Sequence, residues 1–233
     1  MTDLKGARVL VTGAGGFVGP HLVRALAARG AHVRGAGLGA PPGGTPIEDW
    51  READFSNLAQ AEDAVAAAPL ETIVHLAGQS SAAQSFKDPE GTFRANVNGT
   101  WSLLEAARAH APAARVLVVS TSEVYGSIEP GTRAAETDAF VPVSPYALSK
   151  AAAEQLASAY AATHKLDVVR ARPFGHTGPG QTPRFVVPAF AQQIARVEAG
   201  RAEPVLRVGN LDVTRDLSDV RDIVQGYCAL LER

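Results

Sequence analysis

The sequence predicts an α/β fold built on a doubly wound parallel sheet, with a small second lobe at the C-terminal end. Three observations predict it. Short, apolar, β-branched runs recur along the chain, alanine-rich helical stretches separate them, and this rhythm breaks near residue 173. Apolar strands that alternate with helices belong to a parallel sheet covered on both faces, because each crossover lays a helix on the sheet.

The elements follow in order. Residues 8–13 (RVLVTG) read as the first strand and 16–29 as the first helix. Residues 31–37 (AHVRGAG) read as the second strand, and GLGAPPGGTP (37–46) as a flexible surface loop. A short third strand precedes Asp54. Residues 72–78 (TIVHLAG), 115–121 (RVLVVST) and 166–172 (LDVVRAR) supply three more strands, with helical periodicity over 56–68, 91–110 and 146–163. The Gly/Pro-rich stretch 173–185 reads as loop. A helix over 186–199, a strand over 204–208 and a last helix from about 218 complete the chain. The expected division is a dinucleotide-binding domain over 1–172 and a partial substrate lobe over 173–233.

Composition narrows the function. A chain of 233 residues buries enough surface to fold without a staple. Lys+Arg number 22 and Asp+Glu 24, a net charge of −2, so no basic field exists to hold nucleic acid or an anionic membrane. The single cysteine, Cys228, excludes an intrachain disulfide and suits a reducing, cytoplasmic setting. Its apolar neighbours make it a buried bystander. The N-terminal MTDLKGARVL has no long apolar run, so neither a signal peptide nor an anchor is expected. No metal site is expected.

Gly13, Gly16 and Gly19 are spaced G-x-x-G-x-x-G in VTGAGGFVGPHL, at the first strand–helix turn, with Phe17 and Val18 inside the same turn. Glycines there permit a tight turn and a close approach of pyrophosphate to backbone, and the helix N-terminus offers unpaired N–H groups to phosphate. This turn predicts a dinucleotide cofactor. The second strand ends Gly35, Ala36, Gly37, Leu38, without the acid that would bind a ribose 2′-OH. That favours NADP(H), with NAD(H) as the second choice. Asp54 and Phe55 are candidates to flank the adenine.

SPYALSK (144–150) places Tyr146 and Lys150 four residues apart, on one helix face. An ammonium ~5 Å from a phenol, at an effective dielectric near 20, is worth roughly 3 kcal/mol, or about two pKa units. On spacing alone, Lys150 is therefore expected to bring Tyr146 towards about 8. STSEVYG (120–126) ends the fourth apolar strand, so Thr121 and Glu123 are expected to face the same crevice.

Together these residues resemble the extended short-chain dehydrogenase/reductase superfamily (NAD-dependent epimerase/dehydratase family), whose NAD(P)-binding Rossmann fold acts on nucleotide sugars. More narrowly, IVHLAGQSS, SPYALSKAAAE, GHTGPGQTPRFVVPAFAQQI and VGNLDVTRDLSDVRDIVQGY are similar to GDP-4-dehydro-6-deoxy-D-mannose reductases, with GDP-mannose 4,6-dehydratase as a near relative. The resemblance implies a catalytic set of Thr121, Tyr146 and Lys150, with Tyr146 protonating the alkoxide formed at C4 and Lys150 holding the nicotinamide ribose. It implies cofactor contacts from Gly13, Gly16, Phe17, Val18, Gly19, Asp54, Phe55, Leu76, Ala77, Gly78, Pro173 and Phe174. It implies that Arg215, with Arg184, binds the sugar-nucleotide diphosphate, and that Glu123 is the acid which, in dehydratases, removes a C5 proton. Gly175 stands where the family carries Asn; restoring that amide is expected to tighten substrate binding. A homodimer is also implied. The alternatives from other classes are a lyase or epimerase that recycles its cofactor, and a non-catalytic NAD(P)-binding protein.

Overall fold

The computed structural model describes residues 3–129 and 131–232. Every candidate site residue lies within them; the extreme ends of the spans 1–172 and 173–233 lie outside. The strands β1 (Arg8–Thr12), β2 (His32–Gly37), β3 (Asp49–Glu52), β4 (Thr72–His75), β5 (Arg115–Val119) and β6 (Asp167–Ala171) form one sheet, all parallel. Its order is β3-β2-β1-β4-β5-β6. The chain winds one way from β1 and the other way from β4, so the switch point lies between these two strands. Ligands of open α/β sheets bind outside the strand ends at that point.

Alternation along the strands builds two cores. Leu10, Ile73, Val116 and Val118 face α2 (Leu58–Ala66), α5 (Gly99–His110) and α6 (Pro145–His164). Val9, Val11, Val74 and Leu117 face α1 (Gly19–Ala27) and α8 (Val220–Leu231). The last helix therefore returns to the sheet: Val224, Tyr227, Cys228 and Leu231 all pack in the second core. Cys228 is buried as expected, and burial pushes its thiol up.

Four local expectations are corrected. The helix over 91–110 is interrupted: α4 (Pro89–Phe93) leads into a π-helical turn (Arg94–Asn98) and then into α5. A further short helix, α3 (Ala82–Lys87), precedes it and is capped by Ser81. No strand forms over 204–208; Val205, Leu206 and Val208 are exposed, and no strand runs beside them. The loop 173–185 instead contains β7 (Gly175–Thr177), which pairs in parallel with β8 (Leu217–Asp219). Between them, α7 (Val186–Glu198) buries none of its residues. Among the described residues, no helix is long and apolar enough to cross a membrane.

Candidate active site

The glycine turn joins β1 to α1. Gly13 has φ +67°, and a Cβ there would stand 2.6 Å from the Ala77 backbone nitrogen. Only glycine lets the turn cross the Leu76–Ala77 segment this closely. A Cβ at Gly19 would meet the Ala14 carbonyl oxygen at 2.2 Å, so this glycine seats the helix against the turn. Gly16 donates its N–H to the Gly13 carbonyl, and Gly15 and Gly16 are exposed at the mouth of α1. Such a cradle, open to solvent at a helix N-terminus, fits a pyrophosphate. Phe17 stacks on His176, and His21 bonds the Pro179 carbonyl at 2.9 Å, tying the turn to the segment after β6. Val18 packs against the second core.

The loop after β4 is held by residues that the sequence reading missed. Thr12 Oγ1 accepts from the Ala77 N–H and shares a second hydrogen bond with His75 Nδ1 at 2.8 Å. The His75 ring is buried and neutral, its pKa lowered to about 3 by burial and then by the charge of Lys150. Asn96 lies in the π-helical turn. Its Oδ1 accepts from the Gln79 N–H, and its Nδ2 donates to Ser149 Oγ at 2.9 Å. Ser149 in turn donates to the Tyr146 carbonyl. Asn96 thus fastens the Leu76–Gly78 loop to the start of α6, and a π-turn at such a place is a common functional device. A Cβ at Gly78 would strike Asn96 Oδ1 at 2.5 Å.

Asp54 and Phe55 follow β3. The Asp54 carboxylate accepts from the Ser56 N–H, and the Phe55 ring is buried edge-on to His75. The Asp54 backbone is engaged as well: its N–H donates to Gln60 Oε1 at 2.8 Å, and its carbonyl accepts from the Asn57 N–H at 2.9 Å.

Thr121, Tyr146, Glu123 and Arg215 come together. Thr121 lies two residues past β5 in extended backbone and caps the 3₁₀ turn Ser122–Tyr125. Its hydroxyl lies beside the Tyr146 phenol. The phenol is buried at the first turn of α6, which Ser144 caps through the Ala147 N–H. Burial pushes Tyr146 up to about 12; the Thr121 hydroxyl pulls down, and the Glu123 charge pushes up. This overturns the expected value near 8. Lys150 is not what shifts the phenol: its ammonium donates to the Val119 carbonyl and lies beside His75. Burial lowers Lys150 to about 8, against the pull of Glu154. Desolvation raises Glu123, and Arg215 opposes the rise.

The remaining candidates are more dispersed. The Pro173 carbonyl accepts from the Ser122 N–H, which sets Pro173 and Phe174 beside the Thr121 turn. Arg184 is exposed before α7 and joins none of the others by a hydrogen bond or ion pair among the described residues. Gly175 pairs with Leu217, and a Cβ there would lie 2.8 Å from the Asp216 carbonyl oxygen. The β7–β8 pairing therefore requires glycine, and the expected gain from Asn at this position is withdrawn. Glu52 and Trp50 were not singled out either; both reach the end of β2 through the β2–β3 register. Among the described residues, no group of three or more His, Cys, Asp or Glu side chains could hold a metal.

A parallel sheet with a glycine turn at its switch point, Thr121 just past a strand end and Tyr146 and Lys150 on α6 defines a dinucleotide-dependent oxidoreductase of the short-chain type. The chain belongs to the NAD dependent epimerase/dehydratase family, whose model matches residues 9–233. It is 38% identical over 225 residues to GDP-6-deoxy-D-mannose reductase of Pseudomonas aeruginosa, covering 96% of this chain and 70% of that protein. It superposes on RMD from Pseudomonas aeruginosa complexed with NADPH at a TM-score of 0.83 and 37% identity, covering 97% of this chain and 72% of that one. The UDP-glucose 4-epimerase of Thermus thermophilus, in complex with NAD, matches at a TM-score of 0.84 and 33% identity, covering 97% and 75%.

Proposed function

We propose that this chain reduces the C4 keto group of a nucleotide sugar, GDP-4-dehydro-6-deoxy-D-mannose, to GDP-D-rhamnose, with NADP(H) as the favoured cofactor and NAD(H) accepted. The observation that carries the reading is the buried Tyr146 phenol set beside the Thr121 hydroxyl, past the C-terminal end of the sheet that carries the glycine turn. The 38% identity to a GDP-6-deoxy-D-mannose reductase supports the sugar, and the likeness to a structure complexed with NADPH supports the cofactor.

The bound dinucleotide supplies the hydride. The Gly13–Gly19 turn holds the pyrophosphate on the N-terminus of α1. Thr121 orients the carbonyl being reduced. Tyr146, with its pKa near 12, carries its proton at neutral pH and delivers it to the oxygen that becomes charged. Lys150 holds the nicotinamide ribose, and Asn96 fixes the start of α6 against the Leu76–Gly78 loop. Arg215, with Arg184, takes the diphosphate of the sugar nucleotide, while Pro173, Phe174 and the narrow Gly175 line the approach. The span 1–172 is the dinucleotide unit, and 173–233 adds the substrate side while returning α8 to the sheet. Exposed Trp101 on α5 and Leu148 on α6 support a homodimer through these helices. The lone buried cysteine supports a cytoplasmic enzyme.

The test is NADPH absorbance with freshly prepared GDP-4-keto-6-deoxymannose. Stoichiometric loss of NADPH is expected; no loss refutes the reductase. Glu123 favours one second reading. Its desolvated carboxylate beside Tyr146 suits a base that removes a C5 proton, as a dehydratase does. That reading predicts 4-keto product from GDP-mannose with no net consumption of cofactor.

A further inference from the structure

The second strand ends without an acid of its own, yet a carboxylate stands there. Glu52 ends β3 opposite Gly37, and its Oε1 accepts from the Gly39 N–H at 3.3 Å. Trp50 grips the same residue from its other side, donating Nε1–H to the Gly39 carbonyl at 2.9 Å. The indole lies across bare glycine. A Cβ at Gly35 would meet the ring at 2.8 Å, at Gly37 at 3.5 Å, and at Gly15 of the cofactor turn at 3.6 Å. Side chains alternate along a strand, so Trp50 and Glu52 project to the same side of β3. The β3 edge, the end of β2 and the glycine turn thus form one wall, with the exposed Glu52 at its rim.

A dinucleotide whose pyrophosphate sits on the first helix places its adenosine ribose at the end of the second strand. We infer that Glu52 reads the ribose 2′ position, accepting a hydrogen bond from the 2′-OH of NAD(H) and opposing the 2′-phosphate of NADP(H). The inference rests on the dinucleotide reading proposed above. It makes the preference for NADP(H) a narrow one, held down by a residue from the neighbouring strand. A 2′-phosphate carries about −1.5 to −2 charges. At ~5 Å in a dielectric near that of water, its repulsion by one carboxylate is worth about tenfold in affinity.

The experiment is calorimetric titration of wild type, Glu52→Gln and Glu52→Ala with NADPH and with NADH at one ionic strength. Both variants are expected to bind NADPH about tenfold tighter, and Glu52→Ala to bind NADH severalfold more weakly as the 2′-OH loses its acceptor. The gain for NADPH is expected to shrink in 0.5 M salt, where the Debye length falls to about 4 Å. A ratio of NADPH to NADH affinity that moves less than twofold in both variants overturns the inference and leaves the dinucleotide site standing. Wild-type protein that binds neither dinucleotide overturns the proposed function and this inference together.

Discussion

Lys150→Met should make the protein more stable and inactive at once. The ammonium of Lys150 is held well inside, on the Val119 carbonyl, with its pKa lowered from 10.5 to about 8 by burial. In the unfolded chain it titrates at its ordinary value. Between these two pKa values the unfolded state binds more protons than the folded one, so stability rises with pH across this window. Below pH 8 the folded state carries the full cost of the buried charge, about 3 kcal/mol at 1.36 kcal/mol per pKa unit. By pH 9.5 only about half of that cost remains, so the lysine should add roughly 2 kcal/mol to stability between pH 7 and 9.5. Methionine fills the same volume without a charge. It forfeits one hydrogen bond to a carbonyl, worth about 1 kcal/mol. The net gain at pH 7 is therefore about 2 kcal/mol. Urea unfolding of both proteins at pH 7 and pH 9.5 measures this directly. The difference between the two proteins isolates Lys150, because the other titrating groups are common to both. If the variant is less stable at pH 7, or if the difference does not narrow at pH 9.5, the buried-ammonium argument is wrong.

Three other perturbations address the site. Tyr146→Phe should cut turnover about 10²–10⁴-fold, as loss of a general acid does, with NADPH affinity by calorimetry nearly unchanged; undiminished turnover removes Tyr146 as the proton donor. Arg215→Ala should raise KM for the sugar nucleotide more than it lowers kcat, since a charge-assisted bond to a diphosphate is worth about 1.5–3 kcal/mol; an unchanged KM takes Arg215 out of the substrate site. Gly175→Asn places a Cβ 2.8 Å from the Asp216 carbonyl and should part β7 from β8. A fall in Tm and weaker substrate binding are expected, and tighter binding would show that the pairing yields to the amide.

Much of the scaffold is legible in the sequence because it repeats one physical signal. Five apolar, β-branched runs separated by helices leave little choice but a parallel sheet, and the glycine turn marks which end binds. The elements that escape the reading are those without such a signal. β7 and β8 are three residues each, Gly-His-Thr and Leu-Ser-Asp, with no apolar pattern. The apolar stretch at 204–208 has the pattern but no neighbouring strand to complete its hydrogen bonds. The π-helical turn that aims Asn96 arises from one extra residue per hydrogen-bonded ring, which does not disturb the apolar spacing on either side.

The error in the acidity expected of Tyr146 has a physical origin. Spacing says that Tyr146 and Lys150 share a helix face, and from that alone an ammonium should acidify a phenol. The fold adds what spacing cannot carry: both groups are drawn out of water, and desolvation opposes the charged form of each. The phenol therefore rises to about 12 while the lysine falls to about 8. The pair does not rest as phenolate and ammonium at neutral pH; it rests with the proton on Tyr146, the form a reductase needs before hydride arrives. The surroundings of the end of β2 are hidden from the sequence in the same way. Gly37 is bare in the sequence, but the register lays Glu52 beside it. In both cases the residue types are visible along the chain, and their effect is decided by what the fold places next to them.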